Sequence, residues 1–151
     1  MKREIANTQL LEEMMPLFAA HYSEVPAYSD IPFQPSFEQI LMLETAGILR
    51  VFTARHKETD FLIGYAVYFL QPHFHFRTSL QASADCVYIR PEYRGNGLPG
   101  LSLMKFCDDE LEREGAQVVF HNLPAERNFG PMMKRLGYKL EDHVYSRRLN
   151  G

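Results

Sequence analysis

Apolar and polar positions change period along this chain, and the changes mark its elements. Leu10, Leu11, Met14, Leu17 and Phe18 recur at helical spacing, with Glu12 and Glu13 on the other side. They predict a helix from a cap at Thr8 to about Tyr22, which Pro16 should kink or divide. Ser36 and Gln39 have capping-box spacing and predict a second, short helix ended by Gly47. The period then falls towards two. Ile48 to Arg55, Phe61 to Leu70 and Leu80 to Arg90 read as strands, the second aromatic, β-branched and therefore buried. A polar turn, His56 to Asp60, joins the first two, and Gln71 to Ser79 leads into the third. Helical spacing returns at Leu98, Leu101, Met104, Cys107 and Leu111, and Gly115 stops that helix. Gln117 to His121 is a short strand, Ala125 to Leu136 a last helix closed by Gly137, and Tyr138 to Leu149 final strand material. Glu4 to Asn7 offers a short first strand.

The resulting order, β-α-α-β-β-β-α-β-α-β, implies an α/β (α+β) protein with one mixed sheet and helices packed on it. Its 151 residues suit a single domain, residues 1–151. A chain 46% hydrophobic and 23% charged is neither disordered nor a coiled coil as a whole. Sixteen basic against nineteen acidic residues give a net charge of −3, which argues against a nucleic-acid partner. The longest apolar run, Phe61 to Leu70, falls far short of the ~20 residues a spanning helix needs, so no membrane partner is expected. Cys86 and Cys107 cannot build a disulfide framework, and no apolar signal stretch follows Lys2 and Arg3. The expected compartment is a reducing cytoplasm, with both thiols free and buried. Val25 to Pro35 carries three prolines with Tyr28 and Phe33, and reads as a loop that covers something.

The chemistry concentrates in one stretch, Val87 to Gly100. A strand ends at Ile89-Arg90-Pro91, a turn follows through Glu92-Tyr93-Arg94-Gly95-Asn96-Gly97, and a long helix begins at Leu98-Pro99-Gly100. Amides at a helix start are unsatisfied, point outward together and carry a positive partial charge, so they bind phosphate. Glycines let the backbone approach the anion, and Arg94 adds a charge-assisted contact. A purely structural turn is the competing explanation. No Gly-Lys-Ser/Thr occurs, which excludes a Walker loop, and no well-placed acidic residue supports a Rossmann unit.

This run resembles the acyl-CoA motif of the GCN5-related N-acetyltransferases: a strand ending Val-x-Pro, then Arg or Gln-x-x-Gly-x-Gly/Ala, then a helix. Leu136-Gly137-Tyr138 matches the usual Leu-Gly-Phe/Tyr ending, and the wording around Asn128-Phe129-Gly130 is similar to stand-alone phage and prophage members. The resemblance implies a mostly antiparallel sheet of six to seven strands with helices on both faces. It also implies acetyl-CoA as co-substrate, held by Val87, Tyr88, Ile89, Arg94, Gly95, Asn96, Gly97, Leu98, Pro99, Gly100 and Asn128. Strands 81–90 and 117–121 should splay around its pantetheine arm. Pro99 departs from the family, standing where a second Gly/Ala is usual and removing one N–H.

The implied reaction is transfer of acetyl to a primary amine by direct attack, with an N–H near Tyr88 or Ile89 polarising the thioester carbonyl. His121, near the end of the strand after the motif helix, is the first candidate base. The family's acid tyrosine falls at Met133, so Tyr88 or Tyr145 would have to reach in, or water would serve. Asp85 lies in an apolar strand; alternation puts it on the face of Val87 and Ile89, as a base or as an acceptor-binding group. His73 and His75 alternate with Phe74 and Phe76, and an acceptor-binding role is open to them. No third ligand has matching spacing, so no metal is expected. The acceptor is unread, a homodimer stays open, and a non-catalytic acyl-CoA-binding sensor is the rival class.

Overall fold

The computed structural model describes residues 1–25 and 28–150. Five strands, β1 (Lys2–Glu4), β2 (Leu49–Arg55), β3 (Leu62–Pro72), β4 (Leu80–Ile89) and β5 (Ala116–His121), lie in sequence order in one sheet. The first three junctions are antiparallel and β4–β5 is parallel. Parallel strands need a crossover, and α3 (Leu98–Arg113) supplies it. Among the described residues no helix is long and apolar enough to cross a membrane.

The helices α1 (Thr8–Ser23) and α2 (Phe37–Thr45) cover one face and α3 the other. Leu10, Met14, Leu17 and Phe18 of α1 pack on Leu49, Val51, Tyr65 and Val67, and Leu103, Cys107 and Leu111 of α3 on Phe52, Ala66, Tyr68 and Ala84. Asn7, one residue before the expected Thr8, caps α1 by accepting the Leu10 amide at 2.9 Å. Pro16 does not divide α1, which runs from Thr8 to Ser23. It faces solvent, where water can satisfy the carbonyl it frees, while the apolar face on both sides of it stays packed.

The C-terminal part departs most from expectation. The last helix, α4, is only Gly130–Arg135, and Tyr138 to Leu149 forms no strand. Among the described residues the sheet therefore has five strands, not six or seven. The physical reason is visible in the segment: Leu140, Val144, Tyr145 and Leu149 keep no steady alternation, and all four are exposed. Side chains tie it instead to residues 28–30. Tyr28 donates to Ser146 Oγ at 2.9 Å, and Arg148 Nη1 donates to Asp30 Oδ1 at 2.9 Å. The expected covering loop falls partly on Pro26, outside the described residues; its Phe33 packs on Tyr22 with ring centres 4.5 Å apart.

Candidate functional site

The two edges of β4 are paired to different lengths. On one side β3 follows it from Leu80 to Ile89. On the other β5 follows it from Leu80 only to Ala84, which pairs with His121. From Cys86 to Ile89, among the described residues, β4 has no strand on that second edge. The break coincides with a bulge. Val67 pairs with Cys86 and Tyr68 with Ala84, so Asp85 is the extra residue. A bulge raises the local twist and turns a strand away from its neighbour.

The bulge also resets the alternation. Cys86 and Tyr88 join the α1 face, whereas Ala82, Ala84, Val87 and Ile89 join the α3 face. Asp85 is not on the face of Val87 and Ile89, because counting by twos fails across an inserted residue. It is exposed, within electrostatic reach of His21 and Tyr22 of α1.

Beyond Ile89 the chain makes one 3-10 turn, Pro91–Tyr93, then a second turn in which Gly97 donates to Arg94 O at 2.8 Å. Gly95 and Gly97 have φ of +41° and +81°, which only glycine adopts without strain. A Cβ on Gly95, Gly97 or Gly100 would meet no atom within 4 Å, so open room lies over this turn. Asn96 Oδ1 takes the Leu98 amide at 3.3 Å, and Leu101 donates to Gly97 O. Among the described residues the amides of Gly95, Asn96 and Gly100 have no such partner. Three free amides at the positive end of a 16-residue helix fit a diphosphate.

His121 ends β5 on the α3 face. Its Nε2 lies 3.4 Å from Tyr68 Oη, and Tyr138 packs edge-on to its ring. Burial, with no opposing charge, pushes its pKa down to about 4. Asp85 and His121 thus meet where the strands part, but turn to opposite faces. Tyr88 Oη contacts Glu24 Oε1 at 3.4 Å, and burial raises its pKa, which keeps it protonated. Tyr145 is almost fully exposed, and Met133 lies in α4, where its carbonyl accepts the Tyr138 amide at 2.9 Å. Asn128 is exposed, beside Arg127 on the segment after β5.

His73 and His75 lie in a turn, not on a strand, so strand alternation does not align them; the His75 amide donates to His73 Nδ1 at 3.0 Å. Their hairpin adjoins the start of β4, about 17 Å along the strand from Asp85 at ~3.3 Å per residue. Among the described residues no group of three His, Cys, Asp or Glu could hold a metal.

Three side chains join the site that the motif reading passed over. His21 stacks on Tyr88 with ring centres 4.9 Å apart, and its Nδ1 lies 2.8 Å from Tyr65 Oη. Its spacing of four and three residues from Leu17 and Phe18 is the one signal that could have found it. Glu24 and Arg127 carried no local signal, because only the folded chain brings residues 24, 94 and 127 together.

A search of curated proteins finds no significant sequence match. Solved structures do align. An aminoglycoside acetyltransferase from an uncultured soil metagenomic sample, in complex with sisomicin, is 14% identical, with a TM-score of 0.75 over 99% of this chain and 95% of that one. An acetyltransferase of Trypanosoma brucei is 20% identical, with a TM-score of 0.73 over 98% and 99%. A ribosomal-protein-alanine N-acetyltransferase of Brucella melitensis biovar Abortus is 16% identical, with a TM-score of 0.71 over 99% and 100%. At these identities the likeness is one of fold. The family model for the acetyltransferase (GNAT) family matches residues 8–138, a span that holds the parted strands and the glycine turn, and on that match the chain belongs to this family of acetyltransferases.

Proposed function

We propose that the protein transfers an acetyl group from acetyl-CoA to a primary amine by direct attack. The observation that carries the reading is the parting of β4 and β5 at Ala84, just ahead of a turn with free amides. The free edge from Val87 to Ile89 would pair with the pantetheine arm as an added strand. The free amides of Gly95, Asn96 and Gly100 would donate to the diphosphate, on a turn that Gly97 and Leu98 shape through their own bonds, with Arg94 as the cation and Pro99 silent. Acetyl-CoA would supply the acetyl group as a thioester. An amide of this chain at Tyr88 or Ile89 would polarise its carbonyl. Asp85, exposed at the bulge, would hold a cationic amine and accept its proton. His121, the other candidate base, stays neutral at pH 7 but lies beside Tyr68 on the α3 face, across the sheet from Asp85. Tyr88 would return a proton to the thiolate.

Acetyl-CoA at millimolar concentration is expected to raise the melting temperature, and thiol release is expected with some member of a broad amine panel. Absence of any thermal shift would defeat the proposal. Binding without turnover would favour the second reading, a non-catalytic acyl-CoA-binding module, which Met133 in place of a tyrosine supports.

Pro99 gives a sharper test. Pro99→Ala restores an N–H in the first turn of α3. One hydrogen bond to a charged group is worth about 1.5 kcal/mol, roughly a tenfold effect. Acetyl-CoA affinity measured by calorimetry is expected to rise about 5- to 10-fold, a figure of that same order. An unchanged or weaker affinity would remove the phosphates from this turn.

A further inference from the structure

Arg94 does not stand free at the glycine turn. Its Nε donates to Ile89 O at 2.8 Å, and its Nη2 donates to Glu24 Oε1 at 2.8 Å. The same carboxylate takes a second guanidinium: Arg127 Nη2 lies 3.4 Å from Glu24 Oε2 and donates to the Glu24 backbone oxygen at 3.1 Å. Arg94 follows β4 and Arg127 follows β5, the two strands that part. Glu24 follows α1. One carboxylate therefore gathers two arginines from the two arms of the gap, at the end where the phosphate-binding turn lies. Two positive charges on one negative leave the cluster cationic, and both arginine side chains are more than a third exposed.

We propose that Arg94 and Arg127 form a two-arginine clamp for the CoA diphosphate, and that Glu24 is the internal anion that holds the clamp until the diphosphate replaces it. This deepens the reading above and rests on it. The chemistry is an exchange of anions. A diphosphate offers oxygens on two phosphorus atoms and twice the charge of a carboxylate, and guanidinium forks match phosphate and carboxylate alike. Glu24 also touches Tyr88 Oη at 3.4 Å. Its displacement frees that hydroxyl beside His21, on the face where Asp85 would meet the amine.

The test is calorimetric titration of acetyl-CoA and of S-acetylpantetheine, which lacks the diphosphate, against wild type, Glu24→Gln, Arg127→Ala and Arg127→Lys. Glutamine keeps the shape and removes the competing charge. Acetyl-CoA is expected to bind Glu24→Gln about 5- to 10-fold tighter and Arg127→Ala about tenfold weaker, with Arg127→Lys between. S-acetylpantetheine is expected to bind all four alike. If Glu24 only props the arginines in place, Glu24→Gln binds acetyl-CoA no better than wild type, and the clamp as proposed is wrong. An unchanged affinity in Arg127→Ala, or an equal change for both ligands, overturns it as well. Failure of wild type to bind acetyl-CoA would instead defeat the function proposed above.

Discussion

Gly64→Ala is expected to lower the unfolding free energy by about 3 kcal/mol, at the upper end of the usual cost of overpacking. For a domain of this size that is a fall of roughly 8 °C in melting temperature. A Cβ at Gly64 would overlap Ile89 Cδ1 and stand 2.6 Å from the Tyr88 carbonyl oxygen. The isoleucine tip can rotate away. The carbonyl cannot, because it belongs to the backbone of β4, which pairs with β3 at this very position, Gly64 against Ile89. Nor can β3 step back, since Ala54 of β2 pairs with Gly64 from the other side. The strain must therefore reach Tyr88 and Ile89, the proposed pantetheine edge, and acetyl-CoA affinity is expected to fall with stability. Gly47→Ala is the control. It has a φ of +73° but open space around it, so it carries only a left-handed backbone penalty of roughly 1–2 kcal/mol. Urea unfolding of both variants decides the matter. Equal losses would mean that the close approach of β3 and β4 does not exist.

Most of the scaffold could be read from local pattern because its causes are local. Leu10, Met14, Leu17 and Phe18 share a stripe whatever they pack against, and Gly47, Gly115 and Gly137 mark helix ends because each takes a positive φ. The glycine turn at 95–97 was legible for the same reason. What failed was long-range or depended on a count. Asp85 moved to the other face because one inserted residue shifts every later position in the strand. The bulge's partners, Val67 and Tyr68, lie some twenty residues earlier, where nothing in the sequence marks them. The last strand failed because Leu140, Val144 and Tyr145 do not alternate, and the ties to Tyr28 and Asp30 span more than a hundred residues. Glu24 belongs to the same class: its role comes from meeting Arg94 and Arg127, not from its neighbours in the chain.

His121 supplies the second large effect, and its sign follows from burial. Its folded pKa of about 4 lies below the value near 6.5 of an unfolded histidine. The unfolded chain therefore binds the extra proton first as the medium is acidified. Stability held above pH 6.5 is lost progressively as pH falls towards 4. By pH 5 the loss from this residue is about 2 kcal/mol relative to pH 8, since each pKa unit is worth about 1.4 kcal/mol. His21, whose pKa burial also lowers, acts in the same direction, so the wild-type curve alone does not isolate His121. His121→Gln does, because an amide does not titrate and His21 remains. Urea unfolding at pH 8 and pH 5 is expected to show wild type losing about 2 kcal/mol more than the variant. Equal losses would mean that His121 is not held neutral by its surroundings. The same pKa bears on chemistry. If His121 were the base, the acid limb of kcat/KM would fall near pH 4. With Asp85 as the proton acceptor, His121→Gln is expected to keep most of kcat, whereas Asp85→Asn is expected to lose it by about 10²-fold or more. A large loss of kcat in His121→Gln with unchanged acetyl-CoA affinity would reverse that assignment and place proton transfer on the α3 side of the sheet.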